Sequence, residues 1–266
     1  MTPIRIAIHG AAGRMGRRLV ALAAADPQLQ LVAAVESAGH PLLGQDAGAL
    51  AGVGPLGISL AETLPAGAQV VVDFSVPAAA VAILETCRRQ GVALVLATTG
   101  LSGDQHVLLR AAAGEIPLLW SPNMSLAVNL TMKLCEVAAR ALADKDADVE
   151  ILERHHRFKE DAPSGTALKF GQTIAGVMGQ TADRHGREGR PGQRPHGEIG
   201  YHAIRVGDNP GEHTIVFGML GETIELTVRA SSRDCYAQGA LAAAKFLVGR
   251  MPGLYGMEDV LGLTAE

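Results

Sequence analysis

Short apolar runs and helix-forming stretches take turns along the first half of the chain. IRIAIHG (4 to 10) is β-branched and apolar and stops at Gly10, and RMGRRLVALAAAD (14 to 26) has helix-forming composition up to Asp26-Pro27. This predicts a strand, a glycine turn and a helix. LQLVAAVE (29 to 36) reads as a second buried strand; a helix intervenes, so the two strands run parallel and the chain opens as a βαβ unit. AQVVVDFS (68 to 75), GVALVLATT (91 to 99) and IPLLWSP (116 to 122) continue the pattern, separated by helical PAAAVAILETCRRQ and SGDQHVLLRAAAG. Between 37 and 64 glycine and proline are frequent and periodicity is weak, which predicts loops and one short helix.

The pattern changes after a strong helix at 126 to 143. DVEILERHH (148 to 156) predicts a strand, and IGYHAIRV, EHTIVFGM and ETIELTVRA predict consecutive strands joined by short turns, hence antiparallel pairing. Ile224, Leu226 and Val228 alternate with Glu225, Thr227 and Arg229, so one face of the last strand is expected to be buried. Residues 181 to 198, rich in glycine, proline and charge, read as a mobile surface loop. The apolar, Ala-rich helix at 235 to 250 is expected to return to the first domain and make that domain discontinuous.

Composition narrows the function classes. A chain of 266 residues holds one large or two modest domains, and 48% hydrophobic with 3% aromatic residues suits small-residue helices on a parallel sheet. With 23 basic against 27 acidic residues there is no broad positive field for a nucleic-acid backbone. Cys87, Cys135 and Cys235 lie far apart with no C-x-x-C pair, which points to a reduced, cytoplasmic setting. The chain enters a strand at once rather than a signal peptide, and no run of 18 apolar residues predicts a membrane span.

The first candidate chemistry lies in GAAGRMG, with Gly10, Gly13 and Gly16 between a strand and a helix. Glycines there let a pyrophosphate approach the helix N-terminus, where amides and dipole favour anions. The loop, Gly10, Ala11, Ala12, Gly13, Arg14 and Met15, is a G-x-x-G-x-x-G variant of the dinucleotide fingerprint. By itself it could equally serve strand–helix contact. Glu36, ending the second strand about 20 residues past the loop, adds the carboxylate expected on the adenosine ribose. Glu36 would repel a 2′-phosphate and Ser37 offers no cation, so NADH is expected to be preferred, with NADPH accepted. Arg14 could reach that phosphate, stack on adenine, or be an exposed helix-start residue.

The second lies in HHRFKEDAPSGTA (155 to 167). Pro163 disfavours helix before it, and Ser164 can cap a helix whose first amides, those of Gly165 and Thr166, suit a carboxylate or phosphate. His155 and His156 leave a strand on opposite faces, so they are expected to do different jobs. Histidine exchanges protons near neutrality, and Lys159 can polarise or protonate an anion. No cysteine flanks these histidines and no H-E-x-x-H occurs, so no metal is expected. His185, His196, His202 and His213 read as loop or strand residues.

EILERHHRFKEDAPSGTA following GAAGRMG, with DFSVP, ATTG and SPNMS in order between them, closely resembles the 4-hydroxy-tetrahydrodipicolinate reductase family, also called dihydrodipicolinate reductase, over essentially the whole chain. The resemblance implies an NAD(P)H-dependent reduction of a cyclic imine dicarboxylate in diaminopimelate and lysine biosynthesis, giving tetrahydrodipicolinate with loss of water. It implies His155 as proton donor with Lys159 as cationic partner. His156, Lys159, Gly165 and Thr166 become substrate contacts beside Ser164. Ala97, Thr98, Thr99 and Gly100, with Ser121, Pro122, Asn123 and Met124, become cofactor contacts, and the assembly a homotetramer formed through the second sheet. Two positions depart from the family: glycine is frequent where Ala97 stands, and a basic residue where Ser37 stands.

The fold expected is therefore α/β. A Rossmann-type parallel-sheet dinucleotide-binding domain over 1–125 is completed by 236–266, and a smaller α+β domain over 126–235 carries a mixed, mostly antiparallel sheet for substrate binding and oligomerisation. Two other readings share parts of the pattern. A non-catalytic dinucleotide-binding regulator would tolerate loss of His155 or Lys159; a semialdehyde-type dehydrogenase would need a thiolate, for which Cys135, inside an apolar helix pattern, is poorly suited.

Overall fold

In the computed structural model, which describes residues 2–264, strands and helices alternate from the first residues. They are β1 (Ile4–His9), α1 (Arg14–Ala25), β2 (Leu29–Val35), α2 (Ala47–Ala51), β3 (Leu60–Ala61), β4 (Val70–Asp73), α3 (Pro77–Gln90), β5 (Ala93–Leu96), α4 (Gly103–Ala113) and β6 (Pro117–Trp120). Then come α5 (Leu126–Leu142), β7 (Asp148–His155), α6 (Gly165–Met178), β8 (Ala182–His185), β9 (Glu198–Arg205), β10 (Gly211–Met219), β11 (Glu222–Ala230), α7 (Asp234–Leu247), β12 (Gly253–Tyr255) and α8 (Met257–Val260). One compact unit takes residues up to Leu126 and from Asp234 onward; the other runs from Ala127 to Arg233. The last two residues of the segment expected to complete the first domain lie outside the described residues.

The first unit is built on a seven-stranded sheet in the order β12-β6-β5-β4-β1-β2-β3, every pairing of which is parallel. Its central strands, such as β4 and β5, are buried on both faces, as continuous apolar runs require. Ile6, Ile8, Val70, Val72 and Val95 meet α1 and α7 residues such as Leu19, Val20, Ala240 and Leu247 on one face. Ala7, Val71, Leu94 and Leu96 meet α3 and α4 on the other through Ile83, Leu84 and Leu109. The chain leaves β1 toward β2 and β3 and then returns to β4 on the other side of β1. The strand order reverses at this point, where ligands of doubly wound sheets bind.

The second unit has a five-stranded sheet in the order β11-β10-β7-β9-β8. It is mixed, but two of its four pairings are parallel, so the expectation of a mostly antiparallel sheet is corrected. β9 does not join β10 by a hairpin. It lies on the other edge of β7, reached by a crossover through α6, which makes the β7–β9 pair parallel. Val149, Ile151, Ile199, Tyr201, Ile215 and Phe217 line the inner face and pack on Cys135 and Ala139 of α5 and Phe170 and Ile174 of α6.

Two further expectations need adjusting. Ile224 stays 41% exposed although it shares the inner face, because it sits on edge strand β11, whose far end is incompletely covered. The segment read as a mobile loop contains β8, and its arginines are anchored: Arg187 bonds Glu150 and Glu198, and Arg194 bonds Asp148 and Glu150. Burial alone would raise Glu150, but these arginines and His202 outweigh it and hold the carboxyl at about 2.

Candidate active site

The glycine turn follows β1 at the point where the strand order reverses. Gly10 has φ +73°, and a Cβ there would lie 2.7 Å from the carbonyl oxygen of Phe74. At Gly16 a Cβ would come within 2.1 Å of the Gly10 carbonyl oxygen, so glycine allows α1 to cross closely over the turn. Gly13 is the N-cap of α1, supplies no side-chain cap, and is exposed together with Arg14. Ala11 and Ala12 are buried, so the backbone is what this loop offers a ligand. The Glu36 carboxylate sits at the end of β2 and accepts from the N–H groups of Ala12, at 3.1 Å, and Ser37, at 2.9 Å. A turn with no room for side chains, an exposed helix start and a carboxylate beside them fit a dinucleotide.

The remaining residues expected at the cofactor divide by exposure. Thr99, Gly100 and Pro122 are exposed, Asn123 is half-buried, and Ala97, Thr98, Ser121 and Met124 are buried. Met124 is part of the apolar core, so its side chain is committed there. The Thr98 hydroxyl donates to Asp73 at 2.5 Å, and His9 Nδ1 contacts the other oxygen of that carboxylate at 2.5 Å. Asp73 is fully buried and ties together the carboxyl ends of β1 and β4 and the segment after β5. The sequence reading missed His9 and Asp73; the signal was two polar residues ending otherwise apolar strands.

In the second unit the chemistry gathers at the C-terminal end of β7. Side chains alternate along this strand, so Val149 and Ile151 face the core, and Glu153 and His155 follow on the same face. Glu153 is 1% exposed and accepts four hydrogen bonds. His155 Nδ1 lies at 2.5 Å, the two Arg205 Nη groups at 2.8 and 2.7 Å, and the Ser164 N–H at 3.1 Å. Burial would raise this carboxyl, but the bonds from His155 and Arg205 prevail and hold it at about 2. Register places Arg205 of β9 beside His155, and His213 of β10 beside Glu153. His213 lies 5.2 Å from the His155 ring, centroid to centroid, and within 3.0 Å of the Ser164 hydroxyl. Burial, then the neighbouring His155, pushes His213 down to about 4.

Ser164 caps α6 as expected, its hydroxyl accepting from the Ala167 N–H at 3.1 Å. The first-turn amides, Gly165 and Thr166, therefore point out of the helix end beside Glu153. Lys159 donates to Asp161 at 2.6 Å, which holds the Asp161 carboxyl below its ordinary range. His156 lies beyond β7, 3.4 Å from the Arg233 guanidinium; desolvation and the positive charge of Arg233 lower its proton affinity. His155, His156, Lys159, Ser164, Gly165 and Thr166 thus belong to one unit, with the last three at a single helix end. Glu153, Arg205, His213 and Arg233 were missed. Glu153 at an inward position of the strand was the readable signal. A cavity of about 540 Å³ lined by Ala141, Leu142, Met219 and Leu220 lies at the opposite end of this sheet and holds none of these residues.

Burial pushes the thiols of Cys87 and Cys135 up to about 12, which removes support for a thiolate nucleophile at either. Among the described residues, no helix is long and apolar enough to cross a membrane.

A nucleotide-type parallel sheet with its glycine turn, and a second unit presenting a carboxylate-held histidine beside a helix N-terminus, define a two-domain, dinucleotide-dependent oxidoreductase. Residues 4–124 match the family model described as "Dihydrodipicolinate reductase, N-terminus" and residues 127–261 the one described as "Dihydrodipicolinate reductase, C-terminus"; the chain belongs to the dihydrodipicolinate reductase family. A 4-hydroxy-tetrahydrodipicolinate reductase of Rhodopirellula baltica is 60% identical, the match covering 98% of this chain and 97% of the relative. One from Alkalilimnicola ehrlichii is 51% identical over 97% and 99%. The solved structure of a dipicolinate-bound dihydrodipicolinate reductase from Paenisporosarcina sp. TG-14 superposes with a TM-score of 0.77 at 25% identity, covering 96% of this chain and 98% of that one.

Proposed function

We propose that this oxidoreductase reduces 4-hydroxy-tetrahydrodipicolinate to tetrahydrodipicolinate with NAD(P)H, in diaminopimelate and lysine biosynthesis. The net change consumes one hydride and one proton: a hydrogen from the cofactor replaces the 4-hydroxyl on the ring, and the hydroxyl leaves with the proton as water. The observation that carries the reading is the end of β7, where Glu153 holds His155 within the same network that carries the Ser164 cap of α6.

Each side chain then has a definable task. The Gly165 and Thr166 amides, with the Ser164 turn behind them, receive one carboxylate of the diacid. Lys159 adds positive charge, His156, whose proton affinity is lowered, adds a neutral hydrogen-bonding ring, and Lys159 exchanges Asp161 for substrate at small cost, since an exposed ion pair contributes about 1 kcal/mol or less. His155 donates the proton through Nε2. A nicotinamide dinucleotide, when bound, supplies the hydride; the Gly10–Met15 turn and Glu36 would hold it, with Thr98, Thr99, Gly100 and the 121–124 segment toward the reactive end. Glu36 and the absence of a cation at Ser37 support NADH over NADPH.

The second unit is assigned substrate binding and subunit association. Leu152 and Ile204 are exposed on the outer face of its sheet, which supports a homotetramer formed through that face. The free thiols Cys87, Cys135 and Cys235 support a cytoplasmic setting. The test is a coupled assay with freshly generated substrate, following NADH absorbance. Substrate-dependent oxidation of NADH is expected; bound NADH that stays reduced would contradict the reading.

A further inference from the structure

The structure assigns a role to a residue two positions before HHRFKEDAPSGTA: we infer that Glu153 is the positioning residue of the acid, fixing which nitrogen of His155 faces the substrate and locking the His155 ring to the N-cap of α6. The inference rests on the reading of His155 as proton donor and specifies how that role is set.

The geometry leaves one arrangement. Each oxygen of the buried Glu153 carboxylate accepts two hydrogen bonds, Oε2 from His155 Nδ1 and Arg205 Nη1, and Oε1 from Arg205 Nη2 and the Ser164 N–H. An ionised carboxylate only accepts, so Nδ1 must carry a hydrogen, and the proton that His155 trades resides on Nε2. Nε2 points at Gly211, where a Cβ would stand 2.9 Å away, so the strand opposite presents no side chain to that nitrogen. The His213 ring meets the His155 ring edge-on and limits its tilt. Ser164, whose N–H the carboxylate also holds, is the N-cap of α6. A single carboxylate therefore sets both the direction of proton delivery and the position of the amides that take the substrate.

The charged and titratable groups around His155 are Glu153 on β7, Arg205 on β9, His213 on β10, and His156 and Lys159 in the loop that follows, while Glu212 of β10 turns to Arg154 and Arg229 on the opposite face. Arg205 offsets much of the charge of Glu153, so orientation is the larger part of the effect.

The test is Glu153→Gln. Its amide oxygen can still accept from Ser164 and Arg205, but its NH2 group faces His155 Nδ1 and favours the neutral tautomer protonated at Nε2. A loss in kcat of roughly 10- to 1,000-fold is expected with KM changed less than about threefold, as for second-layer partners of other histidines. The limb of the kcat–pH profile set by the proton donor should also move to lower pH, because the carboxylate that favours the charged ring is gone, a displacement that loss of stability alone would not produce. A second measurement needs no variant at the hub. Nitrogen-15 NMR of the full chain, with the His155 signals identified by their loss in His155→Gln, should show neutral His155 protonated at Nδ1. Unchanged kcat and pH limb in Glu153→Gln, or a neutral His155 protonated at Nε2, would overturn the inference. Absence of turnover in the unsubstituted protein would instead sink the reading of function, and the NMR result would still decide the tautomer.

Discussion

Gly211→Ala tests whether His155 Nε2 is the working atom. A methyl at this position would lie 2.9 Å from Nε2, 3.3 Å from Cδ2 and 3.7 Å from Cε1. Comfortable contact between such atoms begins near about 3.5 Å, so the ring would have to retreat by roughly half an ångström. Retreat is resisted because Nδ1 is bonded at 2.5 Å to a carboxylate that Arg205 and Ser164 already immobilise. Displacements of this size at a reacting group cost up to about 100-fold in rate, so kcat should fall by roughly 10- to 100-fold, equivalent to about 1 to 3 kcal/mol of barrier. The φ of +156° at Gly211 is also strained for any other residue, so a lower Tm is expected and kinetics should be compared well below it. Gly218→Ala, on the same strand with nothing within 4 Å of its Cβ, is the control. NADH binding, followed by energy transfer from the single tryptophan, Trp120, should be the same in both variants. A Gly211→Ala protein with kcat within about twofold of the control would refute the reasoning, since a methyl on the proton-delivering nitrogen should not be harmless.

Other outcomes follow from the same geometry. Lys159→Ala should lower kcat by about two to four powers of ten while leaving NADH affinity unchanged, measured by steady-state kinetics and fluorescence titration; near-normal turnover would remove Lys159 from the chemistry. Ser37→Arg should raise kcat/KM for NADPH relative to NADH by about tenfold or more, because it supplies the missing cation next to Glu36; an unchanged ratio would place the 2′-hydroxyl elsewhere. Acid should weaken the fold in two stages. His213 is held at about 4, below its unfolded value, so the unfolded chain takes up a proton that the folded chain refuses. Its contribution is complete above about pH 6.5 and fades toward pH 4, a loss of up to about 3 kcal/mol. Glu150 and Glu153, held at about 2, should add a further loss as pH falls below their unfolded range. A Tm that stays flat between about pH 6.5 and 4.5 would contradict the first stage.

Much of this molecule was readable from local signals. Gly10 and Gly16 announced a turn under steric constraint, and Ser164 announced the cap of α6, because both effects act within a few residues. What depends on partners distant in sequence was harder to read. The pairing of β9 with β7 rather than β10 follows from a crossover through α6, and three apolar strands in succession read like a meander. His213 looked like an ordinary strand residue because only the β7–β10 register brings it beside Glu153. Arg205 was hidden for the same reason, since its partner is 52 residues away. Arg187 and Arg194, in a loop-like composition, find Glu150 on the sheet face, a contact no window of sequence contains. Glu153 was the exception. It continues the inward positions of Val149 and Ile151, and a carboxylate in that place had to have partners.

The most direct test of the central claim is a crystal structure of the protein with NADH and dipicolinate. The account predicts one ligand carboxylate within about 3.2 Å of the Gly165 and Thr166 N–H groups, with His155 still bonded to Glu153 through Nδ1. Dipicolinate bound away from the start of α6, or His155 turned so that Nε2 meets Glu153, would contradict it.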